Sequence, residues 1–330
     1  LAGIYAQVLG LDQVGTEDSF FELGGNSLLA MRAIAAINES LDAHLAVRTL
    51  LHAPTVRSLS QQLGKHDSTV EVVPVEVFKE GTGAPLCCIH EGSGLSYAYL
   101  TLAAYLDCPI IGINEIPQKG EAEFGSIRSM AASYADRLQA LYPDGPYKLL
   151  GWSFGGPVAH ELATELRRRG CVVERVVLLD PAGHGGNGAA GEIPDEREIE
   201  NRILQEFFRF NRIDFPEQSG PLTYELVDDL IREQGRELIL PPRQLFDFTV
   251  RTGHANQVYR AQHVPDVFDG DVIVFAARSK NDSDPSHLET WRPYVAGEIT
   301  VHRVDCDHHD MLTVETLGSY GQQLKLALDA

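Results

Sequence analysis

Apolar positions in the first 63 residues recur at helical spacing. Leu1 to Leu9 reads as a short helix, and Ser27 opens a second with apolar side chains at Leu28, Leu29, Met31, Ile34 and Ile37. Thr55 is the expected N-cap of a further helix through Val56, Leu59 and Leu63. Gly64-Lys65-His66-Asp67-Ser68-Thr69 is polar and aperiodic, and reads as a linker. Beyond it the period changes. Apolar runs of strand length alternate with helical stretches: Leu86–Ile89, Ile110–Ile113, Tyr147–Leu150, Val172–Leu179, Val272–Ala276 and Ile299–Val304. Continuous apolar runs suit strands buried on both faces, so the pattern predicts βα units around a mainly parallel sheet. From about 183 to 268 no strand-like run occurs. That segment reads as loop followed by helices and is too long for a plain connection, so it is expected to be a helical lid.

Composition adds limits rather than function. The chain has 330 residues, 44% hydrophobic and 22% charged, which fits one large globular domain or two unequal ones. No apolar run reaches the length of a membrane span. The first residues read as an amphipathic helix rather than a signal peptide, and the missing initial Met predicts a piece of a longer chain. A net charge of −20 argues against nucleic acid or an anionic membrane as partner. The five cysteines, Cys87, Cys88, Cys108, Cys171 and Cys306, show no CxxC or Cys/His ligand spacing. Reduced thiols in a cytoplasmic protein and no metal site are expected.

Two serines stand in special settings. Gly151-Trp152-Ser153-Phe154-Gly155 follows an apolar strand and precedes a helix expected from about Gly156 to Arg169. A G-x-S-x-G turn between strand and helix exposes a nucleophilic serine and aims the next amide, that of Phe154, at the same space as an oxyanion donor. The base must come later in the chain. His308 and His309 follow the last strand, and spacing alone does not choose between them; His302 lies inside that strand. The orienting acid is Asp180, at the end of Val176-Val177-Leu178-Leu179, or Asp282 or Asp284 after the next strand. The loop Glu91-Gly92-Ser93-Gly94 after the first core strand makes the Gly92 amide the candidate second oxyanion donor, with His90 a structural loop residue.

Ser27 sits in Phe20-Phe21-Glu22-Leu23-Gly24-Gly25-Asn26-Ser27-Leu28. A serine there can simply cap the helix. The helix N-terminus also favours a phosphate through its free amides and dipole, so a phosphodiester on Ser27 would be electrostatically at home.

Asp18-Ser19-Phe20-Phe21-Glu22-Leu23-Gly24-Gly25-Asn26-Ser27-Leu28, with Pro54-Thr55-Val56 and Leu59 later, resembles the modification motif and domain end of the peptidyl carrier domains of nonribosomal peptide synthetases. That resemblance implies a four-helix carrier bundle over 1–65 and 4′-phosphopantetheine on Ser27, added by a separate phosphopantetheinyl transferase. Residues 76–330 resemble a type I thioesterase, an α/β-hydrolase domain, after a linker at 66–75. Gly151-Trp152-Ser153-Phe154-Gly155-Gly156 matches that family's nucleophile motif. His90-Glu91-Gly92-Ser93-Gly94 resembles its His-Pro-x-x-Gly loop, with Glu91 in place of proline. The family's pattern implies Asp180 as acid and, from His308-His309-Asp310-Met311-Leu312, His308 as base. The stretch from Asp269 to Asp310 is most similar to enterobactin-type siderophore synthetases. The implied function is chain-terminating release of a peptidyl thioester through a Ser153 acyl-enzyme, by hydrolysis or macrocyclisation, with upstream condensation and adenylation domains as partners. The rival readings are an editing thioesterase and an inactive carrier-binding module.

Overall fold

A computed structural model describes residues 1–25, 27–41, 43, 45, 49–50, 53–63, 72–118, 123–184, 193–210, 220–233, 240–278 and 287–329. The expected linker at Gly64–Thr69 and the alternative acids Asp282 and Asp284 lie outside these residues. The chain divides into two compact units, residues 1–72 with 193–255, and residues 73–192 with 256–330.

In the first unit, α1 (Ala2–Leu9), α2 (Ser27–Leu41) and α3 (Val56–Ser60) form where helical spacing predicts them. Thr55 caps α3 in a capping box: its side chain accepts from the Ser58 amide, and Ser58 Oγ accepts from the Thr55 amide. The helix ends at Ser60 and continues as turns to Leu63, so it is shorter than the apolar spacing suggests. The expected helix count of four falls partly on residues 42, 44, 46–48 and 51–52, outside the described set. Tyr5, Phe20 and Phe21 stack edge-on, with Tyr5 and Phe20 at 5.0 Å. The same unit holds α6 (Glu196–Phe210), α7 (Tyr224–Glu233) and the start of α8 (Arg243–Gln262). These helices carry their own apolar cluster, centred on Leu204, Phe207, Val227 and Phe246. The Arg32 guanidinium of α2 lies 5.8 Å over the Phe207 ring of α6.

The second unit is a seven-stranded sheet in the order β1-β3-β2-β4-β5-β6-β7. Its strands are β1 (Val75–Lys79), β2 (Leu86–Ile89), β3 (Ile110–Ile113), β4 (Tyr147–Trp152), β5 (Val173–Leu179), β6 (Val272–Ala276) and β7 (Ile299–Arg303). β1 pairs antiparallel with β3, and every other pairing is parallel. Alternate residues of β2 and β4 enter different cores. Cys87, Ile89 and Leu149 pack with α4 (Ile127–Leu141) and α5 (Gly155–Arg168), together with Trp291, the last residue of α9 (His287–Trp291). Leu86, Cys88 and Leu150 pack with the 3₁₀ segment Tyr97–Ala104 and with α10 (Val314–Asp329). Strands covered on both faces have no polar side, which is why the inner strands read as apolar runs. Such a sheet offers reactive loops at the carboxyl ends of its strands.

Candidate active site

Ser153, Asp180, His308 and the Glu91–Gly94 loop all follow carboxyl ends of parallel strands: β4, β5, β7 and β2 respectively. Ser153 has φ of 54°, left-handed for a residue with a side chain. Asp180 shares this strain with φ of 39°. The turn at Ser153 is possible because Gly151 is bare: a Cβ there would lie 2.0 Å from the Gly155 carbonyl oxygen. The Ser153 amide donates to the Leu179 carbonyl at 3.1 Å, and the Ala182 amide donates to the Ser153 carbonyl at 2.9 Å. These bonds tie the elbow to the chain on either side of Asp180.

His308 stands between the other two side chains. Its Nδ1 is 2.6 Å from Asp180 Oδ2, and its Nε2 is 3.0 Å from Ser153 Oγ. With Nδ1–H donating to the carboxylate, the Nε2 lone pair faces the serine hydroxyl, the tautomer a general base needs. Asp180 Oδ1 accepts from the Ala277 amide at 3.0 Å, which fixes the carboxylate. The ring of His309 lies 5.1 Å from that of His308, edge-on. The Trp152 indole lies 5.5 Å from the His308 ring, and its Nε1–H donates to the His308 carbonyl at 3.2 Å. Sequence reading did not single out Trp152 for this role, although it precedes the serine.

The loop after β2 leaves one amide open. Every amide N–H from His90 to Leu95 has an acceptor among the described residues except that of Gly92. The Phe154 N–H likewise has none there. A Cβ on Gly92 would lie 4.0 Å from Phe154 Cβ, so the two residues are neighbours. Glu91 closes the loop: its carboxylate accepts from the Ser93 amide at 2.8 Å and from the Ser93 hydroxyl. Burial raises the Glu91 carboxyl above its usual range, while the Ser93 bonds oppose that rise. His90 is fully buried, with Nδ1 2.8 Å from the Glu91 carbonyl and Nε2 2.8 Å from the Tyr134 hydroxyl. Burial pushes its imidazole down to about 4, so it is neutral at pH 7. A neutral ring between a carbonyl and a phenol has Nδ1–H donating to Glu91 and Nε2 accepting from Tyr134.

Ser27 is the first residue of α2, a helix of 15 residues with no acidic residue in its first turn. The amides of a first helical turn have no intrahelical acceptor. A phosphodiester at Ser27 would therefore meet the positive end of a helix whose first turn holds no acidic residue, and the residues present fit a phosphopantetheine arm. Gly25, two residues before it, is pressed against Phe20: a Cβ there would lie 2.3 Å from the Phe20 ring. Among the described residues, no group of three or more His, Cys, Asp or Glu could hold a metal ion. No helix there is long and apolar enough to cross a membrane.

Residues 84–324 match the family described as thioesterase domain, and residues 1–63 match the phosphopantetheine attachment site. The second match assigns the chain a covalently attached phosphopantetheine. Malpinin synthetase of Mortierella alpina is 34% identical over 99% of this chain, which spans 4% of that protein. Enterobactin synthase component F of Escherichia coli K12 is 28% identical over 100% of this chain, which spans 24% of it. Among solved structures, the four-domain nonribosomal peptide synthetase holo-AB3403, bound to AMP and glycine, aligns with a TM-score of 0.68. It shares 23% identity, over 98% of this chain and 25% of that one.

Proposed function

The chain belongs to the thioesterase domain family and carries a phosphopantetheine attachment domain ahead of it, and from that premise we propose that it ends a nonribosomal peptide synthesis by releasing the peptidyl chain. The observation that carries this reading is the relay from Asp180 through His308 to Ser153, at 2.6 and 3.0 Å. When bound at Ser27, phosphopantetheine supplies a terminal thiol on which an acyl chain is held as a thioester.

The chain's own residues do the rest. His308 Nε2 takes the Ser153 hydroxyl proton as Oγ adds to the thioester carbonyl carbon, and Asp180 stabilises the imidazolium. The Gly92 and Phe154 amides hold the oxyanion. Collapse breaks the C–S bond, and His308 returns the proton to the departing sulfur. The result is an ester on Ser153 and a free thiol. Water, or a hydroxyl or amine within the peptide, then gives His308 a proton and attacks the ester. Ser153 recovers its proton, and an acid or a macrocycle leaves.

Residues 1–65 are the carrier, 66–75 the linker and 76–330 the thioesterase, with the helices at about 183–268 as its lid. The partners are upstream condensation and adenylation domains and a phosphopantetheinyl transferase, in the cytoplasm. Ser153→Ala should lower release from a peptidyl-loaded carrier by at least about 10⁴-fold; release at the wild-type rate removes the acyl-enzyme mechanism. Ser27→Ala should abolish the phosphopantetheine mass shift after incubation with a transferase, and a shift that persists relocates the attachment point.

A further inference from the structure

Asn256, on α8, is fully buried, and both hydrogens of its amide nitrogen are used. One goes to the Gly92 carbonyl at 3.2 Å, the other to Glu115 Oε2 at 2.6 Å. The orientation follows from chemistry: the Gly92 carbonyl can only accept, so the nitrogen must face it. Asn256 Oδ1 then has no partner among the described residues, although it is buried. A buried amide that leaves its own acceptor unmet, yet directs both donors to one loop and its neighbour, costs stability that a fold would not otherwise require.

What the amide holds is a glycine. Gly92 has no side chain to restrict its torsions, yet its N–H must keep one direction to stabilise an oxyanion. A peptide unit is planar, so holding its carbonyl fixes the opposite direction of its N–H. On one side of Gly92, the Glu91 carbonyl is held by His90 Nδ1 and by the Gly94 amide at 3.0 Å. On the other side, the Gly92 carbonyl is held by Asn256. Glu115 braces Asn256 and the loop separately, since its side chain accepts from Asn256 and its amide donates to the Gly94 carbonyl at 2.8 Å.

We propose that Asn256, steadied by Glu115, is a positioning residue for catalysis: the Glu91 carbonyl aims the Gly92 N–H within their shared peptide unit, and Asn256 holds the following unit, so that the glycine between them cannot swing and the open amide stays aimed at the developing oxyanion. The role rests on the reading of Gly92 as an oxyanion donor. Burial pushes the Glu115 carboxyl up to about 8, so near pH 7 it is a neutral acceptor that glutamine can replace.

The test is steady-state hydrolysis of a small soluble acyl-pantetheine thioester by the whole chain, with kcat and KM read separately. Asn256→Leu keeps the volume and removes both donors; Glu115→Ala removes the support by an independent route. Direct loss of an oxyanion donor lowers kcat by about 10²–10³-fold. A mis-aimed donor is expected to lower it by about 10- to 100-fold for Asn256→Leu, with KM within about two-fold. Glu115→Ala should show the same split to a smaller degree, and Glu115→Gln should stay near wild type. A folded Asn256→Leu or Glu115→Ala with unchanged kcat overturns the proposal, as does a rise in KM that matches the fall in kcat. Ser153→Ala, run in parallel, separates the two ideas. Turnover that survives there removes the acyl-enzyme reading itself. Turnover lost there but unchanged in Asn256→Leu removes only the positioning role.

Discussion

At the scale of single residues, the site joins strain to alignment. Ser153 and Asp180 both hold positive φ, and each is fixed by main-chain bonds from neighbouring strands. Asp180 makes no use of its charge without geometry: Oδ1 is taken by the Ala277 amide, so Oδ2 alone faces His308. Asp180→Asn can offer its amide nitrogen to His308 and so favour the wrong tautomer. We expect kcat for thioester release to fall by about 10³–10⁴-fold with the fold retained, as read by stopped-flow turnover and circular dichroism. Gly151→Ala is a packing test. Its methyl would meet the Gly155 carbonyl at 2.0 Å, between two main-chain segments that cannot simply rotate away. A loss of at least about 1–3 kcal/mol is expected in urea unfolding. A neutral result would mean that the elbow can open.

At the scale of elements, legibility in the sequence follows how local the cause is. The inner parallel strands are readable because burial on both faces writes an apolar run into each of them. β1 was not read: Val75-Glu76-Val77-Phe78-Lys79 is a partly exposed edge strand that pairs antiparallel and carries charges. The Gly-x-Ser-x-Gly turn was readable because strand, turn and helix are contiguous. Asn256 and Glu115 were not, because their bonds to each other and to Gly92 span 141 and 164 residues. Neither belongs to a motif, and nothing near either in sequence marks it. Trp152 lies beside the nucleophile, but its bond to His308 spans 156 residues. The cap of α3 was a local signal: Thr55 before Val56. In a helix of five residues there is little else to hold the first turn. Thr55→Ala should lower the stability of the carrier region by about 1 kcal/mol, seen as an earlier urea transition of its amide signals.

At the scale of the whole second unit, burial sets how stability responds to pH, and two groups act with opposite sign. His160, on α5, is fully buried between Phe268 and Trp291, with Nε2 2.9 Å from the Tyr294 carbonyl. Burial pushes its imidazole down to about 4 from 6.5. A group whose folded pKa is depressed stabilises above its unfolded value and loses that contribution as pH falls through the folded value. His160 therefore withdraws about 3 kcal/mol between pH 6.5 and 4, at about 1.4 kcal/mol per unit. Glu115, raised to about 8, does the reverse. Its contribution is complete below pH 4.5 and is lost as pH rises through 8. Other buried groups titrate in the same range, so the profile of one protein cannot separate these two, but differences between variants can. The stability gap between wild type and His160→Gln should narrow by about 3 kcal/mol from pH 7 to pH 4, because only the wild type must bury or release that proton. Relative to Glu115→Gln, which does not titrate, the wild type should lose stability as pH rises from 5 towards 8. Urea midpoints across pH 4–8 measure both, and gaps that stay constant with pH would mean that these groups titrate alike in the folded and unfolded chain.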